Sequence, residues 1–211
     1  MKIKIKNSGY VDCKSSFFST LDILRDKEFE FSNGINKLFG DIDSGNFAIS
    51  YLISMYDKVN KNTLFLPHNA TVDGIVTPLS DLAKISCYID ESYNLFSHKH
   101  LFRNKTVNQL IKCGLKKSKL TYTVTEILDM FEIQSHHRDL LIKETGTERY
   151  KIMSAIGFSY GKEVFCFPWF SKCRYEAFSA HIAYSINVLK SLNKTVILPL
   201  SKDLQDLNLF N

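Results

Sequence analysis

A chain of 211 residues that is 45% apolar and 13% aromatic can bury a core of ordinary size, which excludes a disordered polypeptide. Its net charge of +5 is spread along the chain without a basic cluster, so the surface reads as solvated and no nucleic-acid partner is expected. Five cysteines without C-x-x-C spacing read as free thiols in a reducing cytosol, and no run approaches the ~18 apolar residues of a spanning helix, so no direct membrane insertion is expected.

In chain order, residues 2–6 and 9–18 alternate polar with apolar side chains and read as strands of a small antiparallel sheet. Phe29-Glu30-Phe31 continues the alternation, and Ser32-Asn33-Gly34 turns the chain. Ile35 to Phe39 is shorter and more apolar, as expected of a buried central strand. Gly40 and Gly45 follow with G-x-x-x-x-G spacing, directly before a helical run over Phe47–Tyr56. Thr63–Leu66 reads as a strand, Asp73-Gly74 as a turn and Pro78–Asp81 as a turn or helix cap. Ile85–Ile89 is a further strand, ending in the acidic pair Asp90-Glu91.

From Asn104 to Phe131 the pattern becomes helical, with Thr123 and Glu126 spaced as a capping box. Arg138–Glu144 is expected to continue this helical zone. A helix opening at Gly146 and running to Gly161 carries Tyr150, Met153 and Ile156 as its apolar stripe. Val164–Phe170 is the most apolar run of the chain, a buried strand closed by Pro168. A helix over Phe178–Leu192 and a strand over Thr195–Leu198 complete a parallel crossover. The expected class is α/β, with an antiparallel β lobe and an inserted helical lobe and no boundary between independent domains.

The candidate chemistry lies in the strand–loop–helix unit. Glycines at 40 and 45 would let backbone N–H groups and a helix N-terminus face a phosphate. A working phosphate loop then needs Lys for the β/γ-phosphates and Ser or Thr for Mg²⁺, where this chain has Asn46 and Phe47. Gly40, Ser44, Gly45, Asn46 and Phe47 are therefore the candidate residues of a vestigial phosphate loop, with no cation supplied; Lys37 precedes it on the wrong side.

Other constellations read more plainly. His98, His100, His136 and His137 lack a Cys or carboxylate at ligand spacing and read as surface residues, so no metal site is expected. Glu148-Arg149 reads as a helix N-terminus with a favourable acid, Cys166 as a small core residue, and His181 as a histidine with no nucleophile beside it in sequence. If Trp169 and Phe170 emerged from their strand end, they would make that face sticky and favour a nucleotide-independent dimer.

The order of these elements resembles the ATP-binding cassette (ABC) ATPase, the nucleotide-binding subunit of ABC transporters, over nearly the whole chain. Leu24-Arg25-Asp26 with Phe29-Glu30-Phe31 and Gly34 resembles the approach to the family's phosphate loop. Asp73-Gly74 resembles its β-lobe turn, and Leu95-Phe96 with Thr106-Val107 the opening of its helical lobe. Thr145 and Gly146 sit where the signature precedes a helix, Val164–Pro168 where the Walker B strand ends, and Thr195–Leu198 before the switch histidine.

The resemblance implies a P-loop NTPase-like core. Residues 1–90 would form the β lobe with the loop, 91–145 the helical lobe, and 146–211 the return to the core. It also implies that the catalytic positions are replaced. Asp90 or Glu91 stands near the glutamine that senses γ-phosphate, Cys166 and Phe167 at the Walker B acids, and Ser201 near the switch histidine.

The implied protein is a degenerate cassette with no catalytic residue of its own, weak ATP binding at most, and no Mg²⁺. It would be a non-hydrolysing subunit or regulatory module, peripheral at the inner face of the membrane. It would dock on a membrane transport subunit or another ABC ATPase, as a homo- or heterodimer. The alternatives are a divergent but active exporter ATPase that takes its catalytic residues from a partner, and an interaction protein that uses the fold outside transport.

Overall fold

The computed structural model describes residues 1–7, 9–14, 19–24, 26–56, 59, 69–90 and 104–205. The strand expected over Thr63–Leu66 and the Leu95-Phe96 segment lie outside the described residues, as do Glu91, His98 and His100.

The alternating N-terminal segment forms β1 (Lys2–Asn7), with Ile3 and Ile5 buried and its lysines outward. It pairs antiparallel with β4 (Lys27–Ser32) and with β6 (Asn69–Val72), and β6 turns through Asp73-Gly74 into β7 (Ile75–Pro78). Both turn residues have positive φ, +48 and +83, as a two-residue hairpin requires. Beside this sheet, β2 (Tyr10–Lys14) and β3 (Ser19–Ile23) form a separate two-stranded hairpin.

Between β4 and β5 (Gly34–Phe39) the chain changes sheets. Gly34 makes the step at φ +96, and its N–H donates to the Lys194 carbonyl at 2.9 Å. Asn36 braces the step: its amide oxygen accepts from the Ser32 N–H, and its amide nitrogen donates to the carbonyls of Ser32 and Val196. The second sheet is parallel, in the order β5, β10 (Thr195–Leu200), β9 (Val164–Cys166), β8 (Ser86–Tyr88). Among the described residues β5 stands at the edge of this sheet with no fully buried residue, where its apolar content suggests a central strand. The central place belongs to β10, buried at all six positions.

The parallel sheet is covered on both faces. Alternate residues of its strands enter two apolar clusters: Phe165, Val196, Leu198 and Leu200 face one, Val164, Cys166 and Ile197 the other. The first cluster is shared with α3 (Val107–Ser118), α4 (Val124–Met130), α5 (Arg149–Ser159) and α6 (Lys172–Ser191). The second takes in α1 (Asn46–Met55), α2 (Leu79–Ile85) and the antiparallel strands. Every residue of α1 is buried, as a helix enclosed between sheets must be.

The helices show where periodicity succeeds and where tertiary partners override it. Thr123 and Glu126 form the expected capping box, and Thr106 and Gln109 form a second one at the start of α3. The segment 138–144 does not continue the helical zone; it follows a one-turn 3₁₀ segment at Ser135–His137 and ends in another at Ile142–Glu144. Its carbonyls are used to accept the opening N–H groups of α3, Val107 to Leu140 and Asn108 to Arg138, which a continuing helix would have consumed. α5 is buried from Tyr150 to Ser159 rather than along one stripe. α6 begins six residues earlier than expected, capped by the Ser171 hydroxyl, which accepts from the Arg174 N–H. β10 runs through Pro199, whose missing N–H lies on the side where β9 has already ended; there its carbonyl accepts from Phe170.

α3 packs tightly on the end of α5 at Gly114. A Cβ there would lie 2.2 Å from the Ser159 hydroxyl and 2.8 Å from its carbonyl carbon, which cannot move aside. Alanine would add up to ~1 kcal/mol of helix propensity, but overpacking of this kind costs ~1–3 kcal/mol. Gly114→Ala is therefore expected to lower stability in denaturant unfolding, whereas the same exchange on an open helix surface raises it.

Candidate functional site

The loop after β5 is held at its start from two directions. The Gly40 N–H donates to the Leu200 carbonyl at 2.9 Å, and the Trp169 indole N–H donates to the Gly40 carbonyl at 2.9 Å. A 3₁₀ turn over Ile42–Ser44 follows, closed by the Ser44 hydroxyl donating to the Asp41 carbonyl at 2.5 Å. Gly45 then takes φ +83 and opens α1 without a capping side chain of its own. The loop folds tightly on itself: a Cβ at Gly40 would meet the Ser44 hydroxyl at 2.5 Å and the Asn46 amide nitrogen at 2.6 Å. Gly40, Ser44, Gly45, Asn46 and Phe47 thus lie together in one compact turn that opens α1.

The side chains at the head of α1 point away from ligand chemistry. Phe47 is fully buried and meets Tyr51 edge-on at 6.3 Å between ring centroids, and Asn46 is also buried. The cations at the rim are occupied: Lys202 pairs with Asp41 at 2.6 Å, and Lys27 donates to the Ser44 carbonyl at 2.7 Å.

A carboxylate meets the backbone N–H groups at the head of α1. Asp22 of β3, with no exposed surface, accepts from the Gly45 N–H at 3.1 Å and the Ile23 N–H at 2.9 Å through Oδ1, and from the Ala48 N–H at 2.8 Å through Oδ2. The Phe47 N–H also bonds it. Burial pushes the Asp22 carboxyl up from its ordinary range, and the backbone N–H groups only partly offset that. Sequence reading passes over Asp22. The available signal is that Val11 and Cys13 of β2 face inward, and their pairing partners on β3, Asp22 and Thr20, share that face, which sets an acid on an apolar surface.

A thiol and a phenyl ring, Cys166 and Phe167, stand at the end of β9. Cys166 closes β9 fully buried, with its thiol pushed up to about 12 by burial. Phe167 is equally buried, and its carbonyl accepts from the Ser50 hydroxyl at 2.6 Å. Beyond β8, buried Asp90 pairs with Arg174 at 3.3 Å. After β10, Ser201 caps the short turn Lys202–Leu204. Phe170 does not emerge: it has no exposed surface and packs on Tyr150, Phe167 and Tyr175, while partly buried Trp169 is tied to the loop. The aromatic face expected to drive dimerisation is therefore not offered by this strand.

The Gly146–Glu148 turn packs on α5 and α6. Thr145 is buried and donates to the Ile142 carbonyl, and Gly146 takes φ +57 before a short turn to Glu148. Glu148 stands at the N-terminus of α5, as the sequence suggests, but with its side chain paired inside the protein. It is buried between His137 at 2.7 Å and Lys151 at 3.2 Å, and Lys151 also donates to the Glu132 carbonyl. His137 is accordingly a paired, mostly buried residue, its ring 4.0 Å from that of His136. Among the described residues no group of three His, Cys, Asp or Glu could hold a metal.

Burial alone would raise the Glu148 carboxyl, but the hydrogen bonds and charges of His137 and Lys151 together outweigh it and hold it below its ordinary 4.5. The folded state therefore binds its proton less readily than the unfolded chain, and the stability it confers is present above pH 4.5 and lost on further acidification. Glu148→Gln is expected to cost ~2 kcal/mol near neutral pH. In thermal melts, the gap between the two proteins should close as pH falls below 4.5.

No protein-family model and no curated protein matches the chain. Solved structures match at probability 1.00. A dimeric bacterial ABC transporter cassette superposes with a TM-score of 0.61 at 14% identity, covering 96% of this chain and 89% of its own. A protein described as an ABC transporter ATP-binding protein, from Pyrococcus furiosus, gives 0.58 at 14% identity over 95% of this chain and 90% of its own. One described as a cobalt transport ATP-binding protein gives 0.61 at 14% over 99% and 73%. The parallel sheet flanked by helices, with the antiparallel sheets beside it, thus has the fold of the ABC transporter ATP-binding cassette, a P-loop NTPase fold.

Proposed function

We propose that this protein is a non-hydrolysing ABC-type cassette, a subunit or regulatory module that works by docking on a protein partner. The observation that carries the reading is the residue set around the loop: buried Asn46 and Phe47 where a lysine and a hydroxyl are needed, and buried Cys166 and Phe167 where two carboxylates are needed. Hydrolysis of a nucleotide demands a cation on the β/γ-phosphates, a held Mg²⁺ and an oriented water. A neutral amide, a phenyl ring, a thiol held protonated and a second phenyl ring supply none of these. Each loss removes a few kcal/mol of transition-state stabilisation, or ~10²–10³ in rate, so their combination leaves hydrolysis at background.

The partner is a transporter's membrane subunit or another cassette, in a homo- or heterodimer, with the protein peripheral on the cytoplasmic side of a membrane. Two observations support that arrangement. A cassette of the same fold is dimeric, and among the described residues no helix is long and apolar enough to cross a membrane. Residues 91–145 would serve as the helical lobe of such a docking subunit.

Calorimetric titration of the purified protein with Mg-ATP, and with ATP in EDTA, tests the reading. No heat is expected at about 1 mM nucleotide, a dissociation constant weaker than ~−4 kcal/mol of binding, and phosphate release should match the buffer blank. Tight binding that requires Mg²⁺, or turnover above the blank, would overturn the proposal in favour of an active ATPase.

A further inference from the structure

An empty phosphate loop would have a cost of its own. Its glycine turn and helix N-terminus point several backbone N–H groups at one spot, and buried N–H groups without an acceptor are destabilising. In this chain that spot is filled from within. The Asp22 carboxylate receives the N–H groups of Gly45 and Ala48 through separate oxygens, at 3.1 and 2.8 Å, together with that of Phe47. The same oxygen that meets Gly45 is steadied by the Ile23 N–H at 2.9 Å.

The strand carrying Asp22 leaves no gap. At Gly45 even one added carbon would lie 2.6 Å from the Ile23 carbonyl oxygen and 3.3 Å from the Leu24 Cα. β2 and β3 both pack on α1, and β3 also on the turn at Ile42–Ser44. The loop's outer carbonyl, at Ser44, is tied by Lys27 to the start of β4.

The geometry points to a self-filled anion site: the Asp22 carboxylate is the resident anion of the phosphate loop, and the β2–β3 hairpin is the plug that delivers it. The hairpin shuts out phosphate-bearing ligands sterically, through the Ile23–Leu24 backbone, and electrostatically, through a carboxylate that would face the incoming phosphate. A phosphate can enter only when the hairpin lifts. This rests on reading the turn as a phosphate loop and adds to the non-hydrolysing proposal a cause for weak nucleotide binding that is independent of the missing lysine.

The test compares wild type with Asp22→Ala and Asp22→Asn, using inorganic phosphate as the probe and chloride at matched ionic strength as the control. Asp22→Ala leaves the loop N–H groups without their acceptor, and its melting temperature is expected to fall by about 5 °C or more. Phosphate should then raise the variant's melting temperature while leaving wild type unmoved, with an apparent affinity at least about tenfold tighter than that of wild type. If Asp22→Ala does not fold, Asp22→Asn keeps the size and one acceptor oxygen without the repelling charge. It should show the same tenfold preference over wild type.

Equal phosphate responses in wild type and in the variant that folds would overturn the inference. Tight Mg-ATP binding by wild type would sink the non-hydrolysing proposal without touching this comparison, which depends only on the ratio between variant and wild type. The two failures are therefore separable.

Discussion

The structure depends on satisfying β10. Buried at all six positions, this strand must find partners for its backbone on both sides, and it finds β5 along its whole length and β9 along half of it. Where the pairing ends, the remaining carbonyls are taken one at a time: Pro199 by the Phe170 N–H, Leu200 by the Gly40 N–H. That last bond fixes where β5 stops and the loop begins. The Trp169 indole then holds the same glycine from the neighbouring segment. Loop position is therefore a consequence of sheet closure, and it would be the same with or without a ligand to bind.

Around this frame the buried charges are resolved locally. Asp22 is met by backbone N–H groups, Asp90 by Arg174, and Glu148 by His137 and Lys151. Buried charge is tolerated only when so compensated. The acids are matched by the chain itself, and Lys27 and Lys202 at the rim of the turn are committed to Ser44 and Asp41. The parts that confer stability in this chain are those that elsewhere would be left open to substrate.

What the sequence shows of this is uneven, for physical reasons. Contiguous features are legible: the Gly40–Gly45 turn, the start of α1, the Asp73-Gly74 hairpin and the Thr123–Glu126 cap all depend on neighbours within a few residues. Features set by distant partners are not. Ile35 to Phe39 looks central because both its faces are covered, yet edge or centre is decided by hydrogen-bond partners that apolar content does not encode. The 138–144 segment looks helical until α3 needs its carbonyls. Asp22 reaches Gly45 and Ala48 across 23 and 26 residues of chain, and Glu148 reaches His137 across 11. Neither meeting leaves a periodic trace.

Asn46 and Phe47 bring neither a charge nor a hydroxyl to the head of α1. The N–H groups at the helix start remain, however, because the backbone supplies them whatever the side chains are. Left dry and unpaired they would cost ~1–3 kcal/mol each, comparable with much of a small protein's net stability of ~5–15 kcal/mol. Donors gathered at a helix start therefore require an acceptor, and a buried carboxylate requires several donors. Asp22 and the turn at Gly45 answer each other's requirement, so a cassette with these side chains and an unplugged loop would be less stable than the one this sequence builds.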